Sequence, residues 1–151
     1  MIRIITVGKL KEKYLKEAKE EYSKRISKYH KIEVIEVEDS KIDEKETALK
    51  EEKDRILKNI IPKSYIITLE IEGKELTSIE LSELIDKTFI NYSDITFIIG
   101  GSYGIDDSIK KISNYHLSFS KMTFPHQLFR ILLLEQIYRS FKILNNEEYH
   151  K

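Results

Sequence analysis

Five short apolar runs alternate with longer stretches of helical period along the chain. Ile2 to Val7 is β-branched and closes on Gly8, which suits a buried strand. From Lys11 to Tyr29, the side chains Tyr14, Leu15, Ala18, Tyr22, Ile26 and Tyr29 recur at steps of three and four between lysines and glutamates, the pattern of an amphipathic helix. Ile32 to Val37 alternates as a second strand. A charged helix follows over Asp43 to Ile60, with Pro62 as its stop. Tyr65 to Ile71 reads as the third strand, closed by a turn at Glu72 and Gly73. Thr77 with Glu80 makes a capping box for a helix whose inward stripe is Leu81, Leu84, Ile85 and Phe89. Strand four (Ile95 to Ile99), a short helix (Asp106 to Ile112), strand five (Tyr115 to Phe119) and a long last helix complete the chain. Such alternation predicts an α/β fold with a mostly parallel sheet and helices on both faces, in one domain spanning residues 1–151.

The last helix departs from the amphipathic rule. Its apolar positions between Leu128 and Phe141 circle nearly the whole cylinder, so it lies in the middle of the fold or meets a partner subunit.

Composition narrows the setting. With 151 residues and 40% hydrophobic content the chain can bury one core. The absence of cysteine excludes disulfides and cysteine-built metal sites and fits an intracellular, cytoplasmic protein. Four histidines, His30, His116, His126 and His150, are too scattered to suggest a metal, and no window is long and apolar enough for a membrane span. The formal net charge is zero, yet residues 1–31 carry ten basic against four acidic side chains and residues 32–54 the reverse. Solvated helix faces explain both runs; a basic face meeting a polyanion is the alternative.

In open parallel sheets, ligands sit beyond the carboxyl ends of the strands. That rule selects Leu69 onward, Gly100 to Gly104 and Ser120 to Pro125. The glycines do not match a dinucleotide fingerprint or a P-loop. Gly100 to Gly104 does fit the G-x-S-x-G of a serine nucleophile elbow, but Asp106 and Asp107 lie too close to Ser102 to act as its triad acid. The loop Phe119 to His126 mixes rings, a thioether and hydroxyls, which suits an adenosine-like ligand. The tail ending Tyr149-His150-Lys151 reads as frayed by its position.

Six segments, VGKLKEKY, TLEIEGK, IIGGSYG, LSFSKMTFPHQ, EQIYR and the closing YHK, together resemble the ribosomal RNA large subunit methyltransferase H family of SPOUT methyltransferases from end to end. The resemblance implies a C-terminal trefoil knot, which periodicity cannot reveal. It also implies methyl transfer from S-adenosyl-L-methionine to N3 of a pseudouridine in helix 69 of ribosomal RNA on the assembled ribosome, by a homodimer with the target base between protomers. Carried onto this sequence, the cofactor residues are Leu69, Gly100, Phe119, Ser120, Lys121, Met122, Thr123 and Phe124. The same likeness assigns Tyr149 and His150 to catalysis and His126, Arg130 and Arg139 to RNA or to orienting the base. The all-round apolar last helix is then expected at the dimer interface. A ribosome-binding protein that has lost catalysis, or a hydrolase using Ser102, are the contrasting readings.

Overall fold

The computed structural model describes residues 1–151. Five strands and five helices alternate as β1 (Ile2–Val7), α1 (Lys13–Ser27), β2 (Ile32–Val37), α2 (Lys45–Leu57), β3 (Tyr65–Glu75), α3 (Ser78–Asn91), β4 (Ile95–Ile99), α4 (Asp107–Ile112), β5 (Tyr115–Ser118) and α5 (His126–Leu144). All four strand pairings are parallel, in the order β2-β1-β4-β3-β5. The pleat sends alternate residues to opposite faces. Ile2 and Ile4 meet α1, α3 and α5, whereas Ile5 and Val7 meet Ile56 of α2 and Ile109 of α4. β4, between β1 and β3, is buried along its whole length, which accounts for its unbroken apolar run.

Helix α5 packs between α1 and α3 over the sheet. Leu133, Leu134 and Ile137 are fully buried there. Each contributes roughly 1.5–3 kcal/mol by leaving water. Neighbours on both flanks and a sheet beneath account for the apolar girth of α5 within one chain, so that girth is not by itself a sign of a dimer surface.

β3 differs from its expected course. It does not end in a turn at Glu72–Gly73 but loops out and resumes, so that Leu69 and Lys74 both face Leu117 of β5. Gly73 permits the return, because a Cβ there would lie 2.8 Å from the carbonyl carbon of His116. The capping box of α3 is present as expected, with Thr77 Oγ1 accepting from the Glu80 amide and Glu80 accepting from the Thr77 amide. The tail is docked rather than frayed: Tyr149 packs edge-on against Tyr138, with ring centroids 4.9 Å apart.

Candidate active site

The bulge of β3 and the carboxyl ends of β4 and β5 converge on a cleft of about 310 Å³. That is near the lower end of the roughly 300–1,000 Å³ usual for small-ligand sites. One wall is the bulge of β3 (Leu69 to Glu72), the second is the turn after β4 (Gly100, Gly101, Gly104), and the third is the segment after β5 (Phe119, Ser120, Met122 to Phe124). His126 and Phe129 of α5 complete the lining. The Phe129 ring lies tilted against both Phe119 and Phe124, with centroids 4.9 and 5.7 Å away, so three rings line one side.

The glycine turn is built by close approach. A Cβ on Gly100 would fall 2.3 Å from the carbonyl oxygen of Gly104, and Gly104 itself has a φ of 83°. The Gly104 amide donates to the Gly101 carbonyl at 3.0 Å, which holds the turn shut. Side-chain ties hold the bulge: Glu70 accepts from the Thr68 hydroxyl at 2.6 Å and pairs with the His116 imidazole. Lys110 approaches the other Glu70 oxygen at 3.8 Å. An aromatic apolar wall, backbone bared by glycine and a few polar groups suit an adenosine-type cofactor.

Of the residues expected to bind that cofactor, Leu69, Gly100, Phe119, Ser120, Met122, Thr123 and Phe124 line the cleft. Lys121 does not; it is exposed in the same loop. His126 lies at the rim.

Arg130, expected to meet RNA, is instead buried at 1% exposure. Its guanidinium donates to the Gly8 carbonyl at 2.8 Å and to Glu36 at 2.9 Å. Burial lowers its pKa, while Glu36 acts in the opposite direction. A guanidinium so enclosed ties α5 to the ends of β1 and β2 and offers nothing to a ligand in solvent.

Arg139 and the tail form a separate cluster further along α5. Glu135 accepts from Arg139 Nε at 2.9 Å and from the Tyr149 hydroxyl at 3.0 Å. The Arg139 guanidinium lies 4.7 Å from the Tyr149 ring centroid. It also bonds to His150 Nδ1 at 3.2 Å. Burial and the bond to Glu135 push the Tyr149 phenol up to about 12, so it is a donor at neutral pH. Arginine only donates, so His150 accepts at Nδ1, and the neutral ring then carries its proton on Nε2. None of these groups lines the cleft.

Ser102 has no hydrogen bond to a histidine or carboxylate, and the Asp106 carboxylate is taken up by the Ser108 amide and hydroxyl. The turn therefore shows no triad. Tyr103 is directed to the Asp43 carbonyl at 3.1 Å, away from the cleft. No group of His, Asp and Glu side chains is placed to hold a metal ion, and no helix is long and apolar enough to cross a membrane.

Residues 1–150 match the family described as "Predicted SPOUT methyltransferase". A protein of Clostridium tetani named ribosomal RNA large subunit methyltransferase H is 55% identical, the alignment covering 99% of each chain. The chain belongs to the ribosomal RNA large subunit methyltransferase H family. A Methanococcus maripaludis protein provisionally given the same name is 57% identical over 99% of each chain. A solved structure titled as a probable methylase family protein from Haemophilus influenzae Rd KW20 superposes with a TM-score of 0.58 at 16% identity, over 99% of this chain and 70% of that one, and speaks to the fold alone. As a member of the methyltransferase H family the protein is a methyltransferase with the SPOUT fold, and the expected C-terminal knot is implied by that family.

Sequence reasoning missed the Glu70–His116 tie, the lining by Glu72, and Phe129. The repeated glutamates of Thr68-Leu69-Glu70-Ile71-Glu72-Gly73, at a strand end that should be buried, were the available signal for a bulge.

Proposed function

We propose that this protein methylates N3 of a pseudouridine in helix 69 of large-subunit ribosomal RNA, using S-adenosyl-L-methionine, as a cytoplasmic homodimer acting on the assembled ribosome. The observation that carries the reading is the three-walled cleft between the bulge of β3 and the carboxyl ends of β4 and β5, in a chain of this family. The names of the relatives support RNA as the substrate class.

When bound, the cofactor supplies a sulfonium methyl that is open to in-line displacement. Leu69, Phe119, Phe124 and Phe129 offer apolar walls to its ring system. Gly100 lets backbone lie against it, and Glu70 and Ser118 present oxygens to its polar groups. Holding donor and acceptor in line accounts for much of the acceleration in such transfers.

Tyr149 and His150 orient the target base. With its proton on Nε2, His150 is set to donate a hydrogen bond to a base carbonyl, which stabilises the anion left when N3 gives its proton to water. Arg139, itself held by Glu135, positions both residues, while His126 stands at the cleft mouth for RNA.

Distance supports the homodimer. Phe129, in the cleft, and Arg139, under the tail, are ten residues apart on α5. At a helical rise of 1.5 Å per residue that is about 15 Å, against the roughly 3–3.5 Å of a methyl transfer. A second copy that lays its tail over the first copy's cleft removes the gap.

Mixing tests this reading. A chain lacking Tyr149 to Lys151 should bind cofactor normally and be inactive, and Gly100→Ala should be inactive for want of cofactor. Their mixture should recover activity through dimers that join an intact cleft to an intact tail. Full activity in the truncated chain alone would refute the role of the tail; no recovery in verified mixed dimers would refute the shared site.

A further inference from the structure

The segment Val7 to Tyr14 is unused by the cleft and by the tail, yet it is held with unusual care. Gly8, at a φ of 92°, donates its amide to the Val37 carbonyl at 2.8 Å and accepts from buried Arg130 at 2.8 Å. The Leu10 amide donates to Glu36 at 2.7 Å, and the Leu10 side chain is only 4% exposed. The Lys11 amide donates to Gln127 Oε1 at 3.1 Å. The segment thus has a fixed backbone, bonded to the α5 residues that flank His126 and Phe129 of the cleft. On its other side, Val7 packs against the Gly101 turn: a Cβ there would meet Val7 at 3.0 Å.

From this backbone Lys9, Lys11, Lys13 and Lys16 project into solvent, with Tyr14 66% exposed among them. The local acids are Glu12, Glu17 and Glu20, of which Glu17 approaches Lys13 at 3.8 Å. Lys19 turns away to Glu36 at 3.6 Å. Lys9, Lys11 and Lys16 have no carboxylate within salt-bridge distance.

We propose that Lys9, Lys11 and Lys16, displayed on the anchored β1–α1 loop, form a phosphate-gripping rim that binds the RNA backbone beside the cleft, with Tyr14 packing on a sugar or an unstacked base. The proposal rests on the RNA reading above. Arg130 enters it as a positioning residue: buried and unable to touch RNA, it fixes the loop that does. The rim is a matter of place, because as many exposed lysines lie at and just beyond the far end of α1. Lys24, Lys28 and Lys31 sit at the opposite end of the sheet, where the Ile2 amide donates to the Lys31 carbonyl.

That symmetry provides the test. Binding to purified ribosomes lacking the modification is measured over a potassium chloride series for the wild type, for Lys9/Lys11/Lys16→Gln and for Lys24/Lys28/Lys31→Gln. Each phosphate contact steepens the salt dependence by about 0.7–0.9, so the rim triple should flatten the slope by about two to three. The far-end triple should retain the wild-type slope, Lys9/Lys11/Lys16→Arg should restore it, and S-adenosylmethionine titrations should match in all. Equal slopes for the two glutamine triples would overturn the rim, as would weaker binding at an unchanged slope, which marks a non-ionic contact. If the wild type neither binds nor methylates ribosomes, the RNA reading itself fails, an outcome distinct from failure of the rim alone.

Discussion

Gly100→Ala isolates the glycine turn from the rest of the cleft. The new Cβ would lie 2.3 Å from the Gly104 oxygen, 2.6 Å from the Gly104 carbonyl carbon and 2.8 Å from Ile105 Cγ1. Two of these atoms are backbone in a turn closed by its own hydrogen bond, so relief requires the turn to open. Overpacking of this kind costs about 1–3 kcal/mol. A domain with a typical stability of about 5–15 kcal/mol remains folded. Urea unfolding with and without S-adenosylmethionine separates the two consequences. At a concentration one hundred times its dissociation constant, the cofactor should add about 2.7 kcal/mol to the wild type. A tenfold loss of affinity in Gly100→Ala would reduce that increment to about 1.4 kcal/mol, and the expected value is at or below this. Ser102→Ala, beside it but exposed and without a catalytic partner, should retain the full increment. A Gly100→Ala protein that is less stable yet gains the whole 2.7 kcal/mol on adding cofactor would refute the assignment of this turn to the cofactor.

Two further predictions concern buried polar groups. Arg130→Met should cost about 3 kcal/mol in urea unfolding, the low end for breaking a buried ion pair because Glu36 keeps Lys19 and the Leu10 amide; Glu36→Gln in the same chain should recover part of the loss, and a neutral single variant would contradict the pairing. Burial, aided by the nearby N-terminal ammonium, lowers the pKa of His30, whose ring is 4.4 Å from Phe89 between centroids. With its folded pKa below the unfolded value of about 6.5, the unfolded chain takes up the proton first, so stability should fall as pH drops through that value and level off below the folded pKa. His30→Phe should flatten this part of the urea-midpoint profile; an unchanged slope would remove His30 as its source.

The sheet and its helices were legible because local and global signals agree. The buried run of β4, the stripe of α1 and the Thr77–Glu80 box each predict the element that forms. The cleft was legible for a different reason: strand ends in a parallel sheet gather loops, and the segments after β4 and β5 meet the bulge of β3. What stayed hidden depends on contacts across long separations. Nothing near Arg130 in the chain announces Glu36 or the Gly8 carbonyl, so an arginine on an apolar helix was expected to face RNA. The tail could not be seen to dock, because Tyr149 finds Glu135 only once α5 is built. The β3 bulge needs β5 as its reference, and period-two reasoning on one strand has no access to a register break.

Mass spectrometry of the helix 69 fragment is the most direct measurement. Ribosomes lacking the modification are incubated with the protein and S-adenosylmethionine, and the fragment is released and sequenced by mass. The account predicts the mass of one added methyl group, located on the pseudouridine at N3 and absent when cofactor is omitted. An unchanged fragment, from protein shown to bind both cofactor and ribosomes, would contradict it and leave a binding protein in place of an enzyme.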